Sequence, residues 1–132
     1  MAATTPSAHR VLVVESDARV RTALTALIDA TPGLHVVAQC ACTSGADDAR
    51  RRTDPVVAVV GMCSCSDGLQ SLAALAAHLP VVAVSPCRRD AERALAAGAA
   101  EFCDQDGDAD RLSATLLAVA AAAASSASGR TT

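Results

Sequence analysis

The stretch VLVVESD at residues 11–17 decides the fold of this chain, because a continuous apolar run ends abruptly in three polar residues. Two further runs, VVAVV at 56–60 and VVAV at 81–84, have the same character. Valine-rich runs of this length without polar alternation are typical of strands that are covered on both faces, as in a parallel sheet. Residues 34–38 and 100–103 are weaker strand candidates.

Helical patterns separate these strands. Val20, Leu24, Leu27 and Ile28 follow Asp17 in one apolar stripe, so we predict a first helix with Asp17 as its N-cap. The other predicted helices cover 45–52, 69–79, 88–97 and a segment that starts after Asp110. Three helix ends have local signals: Pro32-Gly33 ends the first helix, Pro80 ends the third, and Gly98 stands at the C′ position of the fourth.

Five strands that alternate with five helices predict one α/β domain, a sandwich with right-handed crossover helices. We expect this domain to cover 10–124, after a flexible N-terminus at 1–9 and before a small polar linker at 125–132. Ligand chemistry in such sheets lies at the carboxyl ends of the strands. In this chain those places are 15–17, 60–67, 85–87 and 103–106.

Composition excludes several classes of protein. The net charge of −3 gives no electrostatic footprint for nucleic acid. No apolar run reaches the ~18 residues of a membrane span, and the N-terminus has no secretion signal. We therefore expect a cytoplasmic protein without a membrane partner, whose six cysteines are thiols.

Over almost the whole segment 10–124 the sequence resembles the receiver (CheY-like) family, in the form that begins NarL/LuxR-type transcription regulators. VLVVESD resembles the acidic end of the family's first strand, SDGLQ its D-G start of helix 3, and VVAVSP its fourth strand. ALAAGAAEFCDQD resembles the stretch around the family's fifth strand. The resemblance implies a CheY-like (flavodoxin-like) (βα)5 three-layer sandwich with a parallel sheet in the order 2-1-3-4-5.

The resemblance also implies five functional positions, and this chain departs from three of them. Glu15 fills the first acidic position and Ser85 keeps the hydroxyl that ends strand 4. Ser16 replaces the second acidic residue and Gln105 replaces the lysine, while either Val60 or Gly61 stands at the phosphoacceptor, depending on the length of the loop. The nucleophile, a metal ligand and the cation are therefore lost together.

These losses predict phosphorylation-independent signalling. Mg²⁺ prefers several hard oxygen ligands, so we expect its binding to be lost or very weak, and we expect no cofactor. An enzyme is not expected either, because no histidine activates Ser85 and no G-x-G-x-x-G follows the first strand.

Several residues allow two interpretations. Phe102 stands where the family has an aromatic residue that changes rotamer on activation, but it is also the largest side chain of a small-residue core. Met62, Cys63 and Cys65 could line a ligand pocket or a redox loop, whereas buried cysteine is more often a small hydrophobic residue. No metal site is expected, because C-x-C is not the usual spacing of zinc ligands.

The function predicted by the resemblance is transcription regulation by an atypical (pseudo-) receiver domain. A constitutive homodimer through 118–124, or a small-molecule ligand in the vestigial pocket, would replace phosphate. DNA would be contacted only through a C-terminal domain absent from this chain. The alternatives are a stand-alone protein-interaction module and a cysteine-based redox sensor.

Overall fold

The computed structural model describes residues 8–41, 43–62, 67–105 and 107–129. Strands and helices alternate along the chain, as the sequence predicts. The strands are β1 (His9–Val14), β2 (Leu34–Cys40), β3 (Val57–Gly61), β4 (Val81–Ser85) and β5 (Glu101–Asp104), and the helices are α1 (Ala18–Asp29), α2 (Thr43–Thr53), α3 (Asp67–Ala76), α4 (Asp90–Ala96) and α5 (Ala109–Gly129).

The five strands form one parallel sheet in the order β2-β1-β3-β4-β5, which confirms the predicted order. In the register, Val14 lies beside Val60, and Gly61 lies beside Val84. The chain therefore leaves β1, β3 and β4 at the same edge of the sheet, and the residues that follow these strands are brought together there.

The core has two apolar clusters, one on each face of the sheet. Val11 and Val13 of β1 belong to the cluster under α1 and α5, and Leu12 and Val14 belong to the cluster under α2, α3 and α4. This alternation explains why residues 11–14 of β1 are all apolar: successive side chains point to opposite faces, and both faces are covered.

Local signals place two helix ends as predicted. The Asp17 carboxylate accepts hydrogen bonds from the N–H groups of Arg19 (2.9 Å) and Val20 (3.3 Å), as an N-cap does. Gly98 follows α4 with a φ of 115°, which other residues rarely adopt. A Cβ atom there would also lie 2.9 Å from the Cβ of Ala76.

The domain boundaries differ from the predicted ones. β1 begins at His9, whose N–H donates to the Gly33 carbonyl (2.7 Å), so His9 belongs to the sheet and not to the N-terminal segment. α5 continues to Gly129, past the expected start of the linker at Ser125. Alanine and serine are both compatible with a helix, and no proline interrupts this stretch. In the part of the chain that the structure describes, no helix is long and apolar enough to cross a membrane.

The arginines that end α2 are paired along the helix surface. Asp47 binds Arg50 (2.7 Å) and Arg51 (3.1 Å), and Asp48 binds Arg52 (3.0 Å). The hydrogen bond from Arg50 is the main cause that holds the pKa of Asp47 below its ordinary value. This basic run is therefore a solvated helix face that neutralises its own carboxylates.

Candidate functional site at the carboxyl edge of the sheet

Two polar residues are buried in the described part of the chain, and both lie at this edge. Glu15 directly follows β1 and is 2% exposed, and Ser85 ends β4 and is 1% exposed. Burial of polar groups costs free energy unless they are hydrogen-bonded, so their partners show what the edge is built to hold.

The Glu15 carboxylate lies against Gly61, the last residue of β3. A Cβ atom at Gly61 would be 2.6 Å from the Glu15 Cδ and closer still to its Oε1. Real Cβ atoms do not approach a carboxyl carbon so closely, so any side chain at this position would displace Glu15. The Glu15 side chain thus occupies the space into which residue 61 would project.

One backbone N–H and one arginine side chain hold Glu15 in this position. Its Oε2 accepts a hydrogen bond from the N–H of Asp17 (2.9 Å), and its own carbonyl accepts one from Arg21 Nη1 (2.7 Å). Because Asp17 also caps α1, the Glu15 carboxylate is tied to the start of that helix. Ser16, between them, is exposed.

Val60 and Gly61, the two alternatives for the family's acceptor position, have different environments. Val60 is fully buried and belongs to the apolar cluster under α2, α3 and α4. Gly61 is the residue whose missing side chain would point at Glu15. Sequence spacing could not distinguish these two residues, because the stretch at 63–66 has no internal landmark.

Ser85 has partners on the α4 side. Its hydroxyl donates to the Asp90 carboxylate (2.6 Å) and accepts from the N–H of Cys87 (3.1 Å). Asp90 is the first residue of α4, and the sequence analysis did not single it out. The signal that could have identified it is a carboxylate in the first turn of a helix, close after the serine that ends a strand.

Gln105 and Phe102 line two separate cavities. Gln105 is exposed, its N–H donates to the Ser85 carbonyl (2.8 Å), and its side chain borders a cavity between α1 and α5. Phe102 is half-buried against the cluster under α2, α3 and α4, and borders a cavity of about 350 Å³ together with Arg88 and Arg111. The rotamer switch at Phe102 stays a prediction.

Of the three residues predicted for a ligand pocket or redox loop, Met62 is described, whereas Cys63 and Cys65 lie outside the described residues. Met62 is 5% exposed and packs in the cluster under α2, α3 and α4. Among the described ranges, no group of three His, Cys, Asp or Glu residues is placed to hold a metal ion.

Solved structures share this fold. A two-component response regulator of the LuxR family from Aurantimonas sp. SI85-9A1 is 23% identical over 88% of this chain and 87% of that one, with a TM-score of 0.79. The signal receiver domain of the putative response regulator NarL from Mycobacterium tuberculosis is 22% identical over 87% and 98%, with a TM-score of 0.76. NtrX from Brucella abortus is 22% identical over 94% of this chain and 30% of that one, with a TM-score of 0.79.

No model of a protein family matches the chain, and no curated protein matches it. At these identities the structural likeness establishes the fold: the chain has the three-layer architecture of response-regulator receiver domains. The predicted CheY-like fold class is confirmed. What the carboxyl edge of the sheet does must be argued from its own residues.

Proposed function

We propose that this chain is a receiver-type signalling domain in transcription regulation that works without aspartyl phosphate. Its fold is that of proteins described as LuxR-family and NarL response regulators. The observation that carries the proposal is the Glu15 carboxylate lying in the space over Gly61.

A phosphorylated receiver needs a carboxylate nucleophile that projects from the end of the third strand. Gly61 has no side chain, and Val60 is an apolar core residue. Glu15 brings a carboxylate to the same place from β1, but it is buried and hydrogen-bonded to the Asp17 N–H, so it is held as a structural group. The position of the Glu15 carboxylate supports the proposal that this side chain fills the space of the family's phosphoacceptor.

The oxygen ligands at this edge do not fit Mg²⁺. Of the residues at the family's acidic positions, Glu15 keeps a carboxylate, and one of its oxygens already accepts a hydrogen bond. Ser16 supplies a neutral hydroxyl, and Gly61 supplies no side-chain oxygen. Mg²⁺ requires near-octahedral coordination by hard oxygen ligands and keeps its waters unless carboxylates replace them. We therefore propose that Mg²⁺ binding is absent or very weak, and that the domain has no enzymatic activity.

The groups that would respond to a phosphoryl group are also engaged or altered. The Ser85 hydroxyl donates to Asp90, which leaves it directed at α4. Gln105 carries no charge to attract a phosphoryl oxygen. To bind a phosphoryl group, the Ser85 hydroxyl would have to give up its hydrogen bond to Asp90. Gln105 would offer no charged contact to the phosphoryl oxygens in compensation.

The test is incubation with acetyl phosphate and Mg²⁺, followed by intact mass measurement. We expect no adduct on the natural chain. The matched comparison is a variant with the family's groups restored, Glu15→Asp, Ser16→Asp, Gly61→Asp and Gln105→Lys, which we expect to gain about 80 Da, the mass of one phosphoryl group. A stoichiometric adduct of this mass on the natural chain would overturn the proposal.

We also propose that the output state is a weak homodimer formed through α5. Ala118, Ala121, Ala122 and Ala124 are exposed along this helix. Small side chains let helices approach closely but bury little area, which favours a weak association. Sedimentation at increasing concentration should show a dimer that Ala121→Glu disrupts and Ala26→Glu, on α1, leaves intact. A natural chain that stays monomeric at every concentration would contradict the dimer.

A further inference from the structure

The sheet has two edge strands, β2 and β5, and they differ in length and charge. β5 is four residues long and carries the exposed Glu101, and both features discourage pairing with a further strand. β2 is seven residues long, and its sequence LHVVAQC contains no acidic residue, lysine, arginine or proline. A strand of this length and composition is a template for pairing with another strand. β2 is therefore the edge at which two copies of the domain could join their sheets.

The outward N–H groups in the first half of β2 are already occupied. The Gly33 carbonyl faces β1, since it accepts from the first residue of that strand, and backbone groups of successive strand residues point to opposite sides. Leu34 and Val36 therefore face away from β1. The Leu34 N–H donates to the Thr31 carbonyl (3.1 Å), and the Val36 N–H donates to the Asp29 carboxylate (2.8 Å). Both acceptors come from the end of α1 and the turn that follows it.

An irregularity separates this half of β2 from the rest. The pairing with β1 shifts in register between Val36 and Ala38, as at a β-bulge, and bulges turn an edge away from a partner strand. Beyond it, the Cys40 carbonyl accepts from the Glu15 N–H and so faces β1. By the same alternation Gln39 faces outward. One outward donor supports little pairing, because a single hydrogen bond contributes modestly.

We propose that Asp29 guards this edge against a second copy of the chain. Full antiparallel pairing of two β2 strands would use the outward N–H groups of both copies, and the Asp29 carboxylate holds that of Val36 in each. A carboxylate is a stronger acceptor than the carbonyl that an incoming strand would offer, so the exchange is unfavourable. The His35 imidazole lies 3.6 Å from the same carboxylate, which adds a second polar group at this end of the edge.

This inference goes beyond the proposed function. The proposed dimer concerns α5, a surface that is open to association, whereas Asp29 concerns a surface that is closed to it. A twofold axis between two β2 strands would also bring both Asp29 carboxylates to one edge, where like charges repel. The occupied N–H group and the charge therefore act in the same direction.

The test uses the full chain with Ala121→Glu, so that association through α5 does not interfere. Asp29→Ala removes the acceptor, and Asp29→Asn keeps an acceptor oxygen without the charge. The matched control is Asp108→Ala. Asp108 is also an exposed aspartate that accepts a backbone N–H, from Asp110 (2.9 Å), but it follows β5, at the opposite edge of the sheet.

Sedimentation over a concentration series measures association. We expect the background and Asp108→Ala to stay monomeric, and Asp29→Ala to associate about tenfold more tightly than Asp29→Asn, the scale of one lost hydrogen bond. Adding Gln39→Lys to Asp29→Ala should restore the monomer, because lysine on an edge strand discourages pairing. In the associated Asp29→Ala protein, amide hydrogen exchange should slow along 34–40.

One further measurement needs no variant. On the natural chain the Val36 N–H should exchange about tenfold more slowly than the Gln39 N–H, because Asp29 holds the first. Equal exchange of the two would overturn the proposal even if Asp29→Ala failed to fold, which thermal unfolding of each variant would show.

The variants give four more results that would contradict the guard. These are a folded Asp29→Ala that stays monomeric, equal association of Asp108→Ala, association that Gln39→Lys does not reverse, and an Asp29→Asn variant that associates as tightly as Asp29→Ala. None of them bears on the acetyl phosphate test or on the α5 dimer, so the proposals fail separately.

Discussion

Replacement of Gly61 by alanine tests the Glu15–Gly61 contact directly. The new methyl group would lie 2.6 Å from the Glu15 Cδ, so Glu15 must leave its buried position. The φ angle of Gly61 is not in the left-handed region, so the backbone itself accepts alanine. The cost therefore comes from Glu15 and not from backbone strain.

The magnitude is the balance of two effects. The atoms in the way are the far end of the flexible Glu15 side chain, which can turn aside, so the methyl group itself fits once Glu15 has moved. The displaced carboxylate loses its hydrogen bond from the Asp17 N–H, worth about 1.5–3 kcal/mol for a charged acceptor. Against this, alanine restricts the unfolded chain and returns about 0.4–1 kcal/mol. We expect Gly61→Ala to lower the free energy of unfolding by about 1–2 kcal/mol.

Urea unfolding of a double-mutant cycle measures the contact. Glu15→Ala removes the carboxylate and opens the space, so Gly61→Ala should cost little in that background. The two substitutions should then be coupled by at least about 1 kcal/mol, as residues in contact are. The control is Gly45→Ala in α2, where the new Cβ would lie 3.9 Å from the Cys40 Sγ, an ordinary contact.

We expect the control to stabilise the protein by about 0.5–1 kcal/mol, because alanine is the better helix former. Additive effects of Glu15→Ala and Gly61→Ala would refute the reasoning. The same conclusion would follow if Gly61→Ala were as harmless as Gly45→Ala. In either case the Glu15 carboxylate would lie elsewhere, and the acceptor site would be open.

Three further perturbations test individual contacts. Ser85→Ala should lower the free energy of unfolding by about 1–3 kcal/mol, because it removes the hydroxyl that donates to the Asp90 carboxylate. It should also increase amide hydrogen exchange at the start of α4, and unchanged exchange there would contradict this contact. Asp17→Ala should lower the free energy of unfolding by about 1 kcal/mol through loss of the N-cap, and Asp17→Asn should restore most of it. Arg50 lowers the pKa of Asp47, so their ion pair stabilises the fold above the unfolded-state pKa of Asp47 and is lost as the pH falls through its folded-state pKa. The natural chain and Asp47→Asn should therefore differ in unfolding free energy at neutral pH, and this difference should disappear in acid. A difference that grew in acid would contradict the assignment.

Much of the fold could be predicted because its signals are local. The apolar run of β1 is covered on both faces, so it contains no polar residue and can be recognised without knowledge of its neighbours. Asp17 and Gly98 mark helix ends by their own conformational preferences, and both are found where predicted. The end of α5 was missed because alanine and serine are compatible with both a helix and a linker, so composition alone does not decide between them.

The residue types alone show that no carboxylate stands at the end of β3, since neither Val60 nor Gly61 carries one. Which group lies against Gly61 follows from tertiary contacts. Glu15 and Gly61 are far apart in the chain, and they meet because parallel pairing of β1 and β3 aligns their carboxyl ends. The direction of the Ser85 hydroxyl toward Asp90 depends in the same way on contacts between elements. Residue types fix which groups are present, whereas the packing of the sheet and helices fixes what each group contacts.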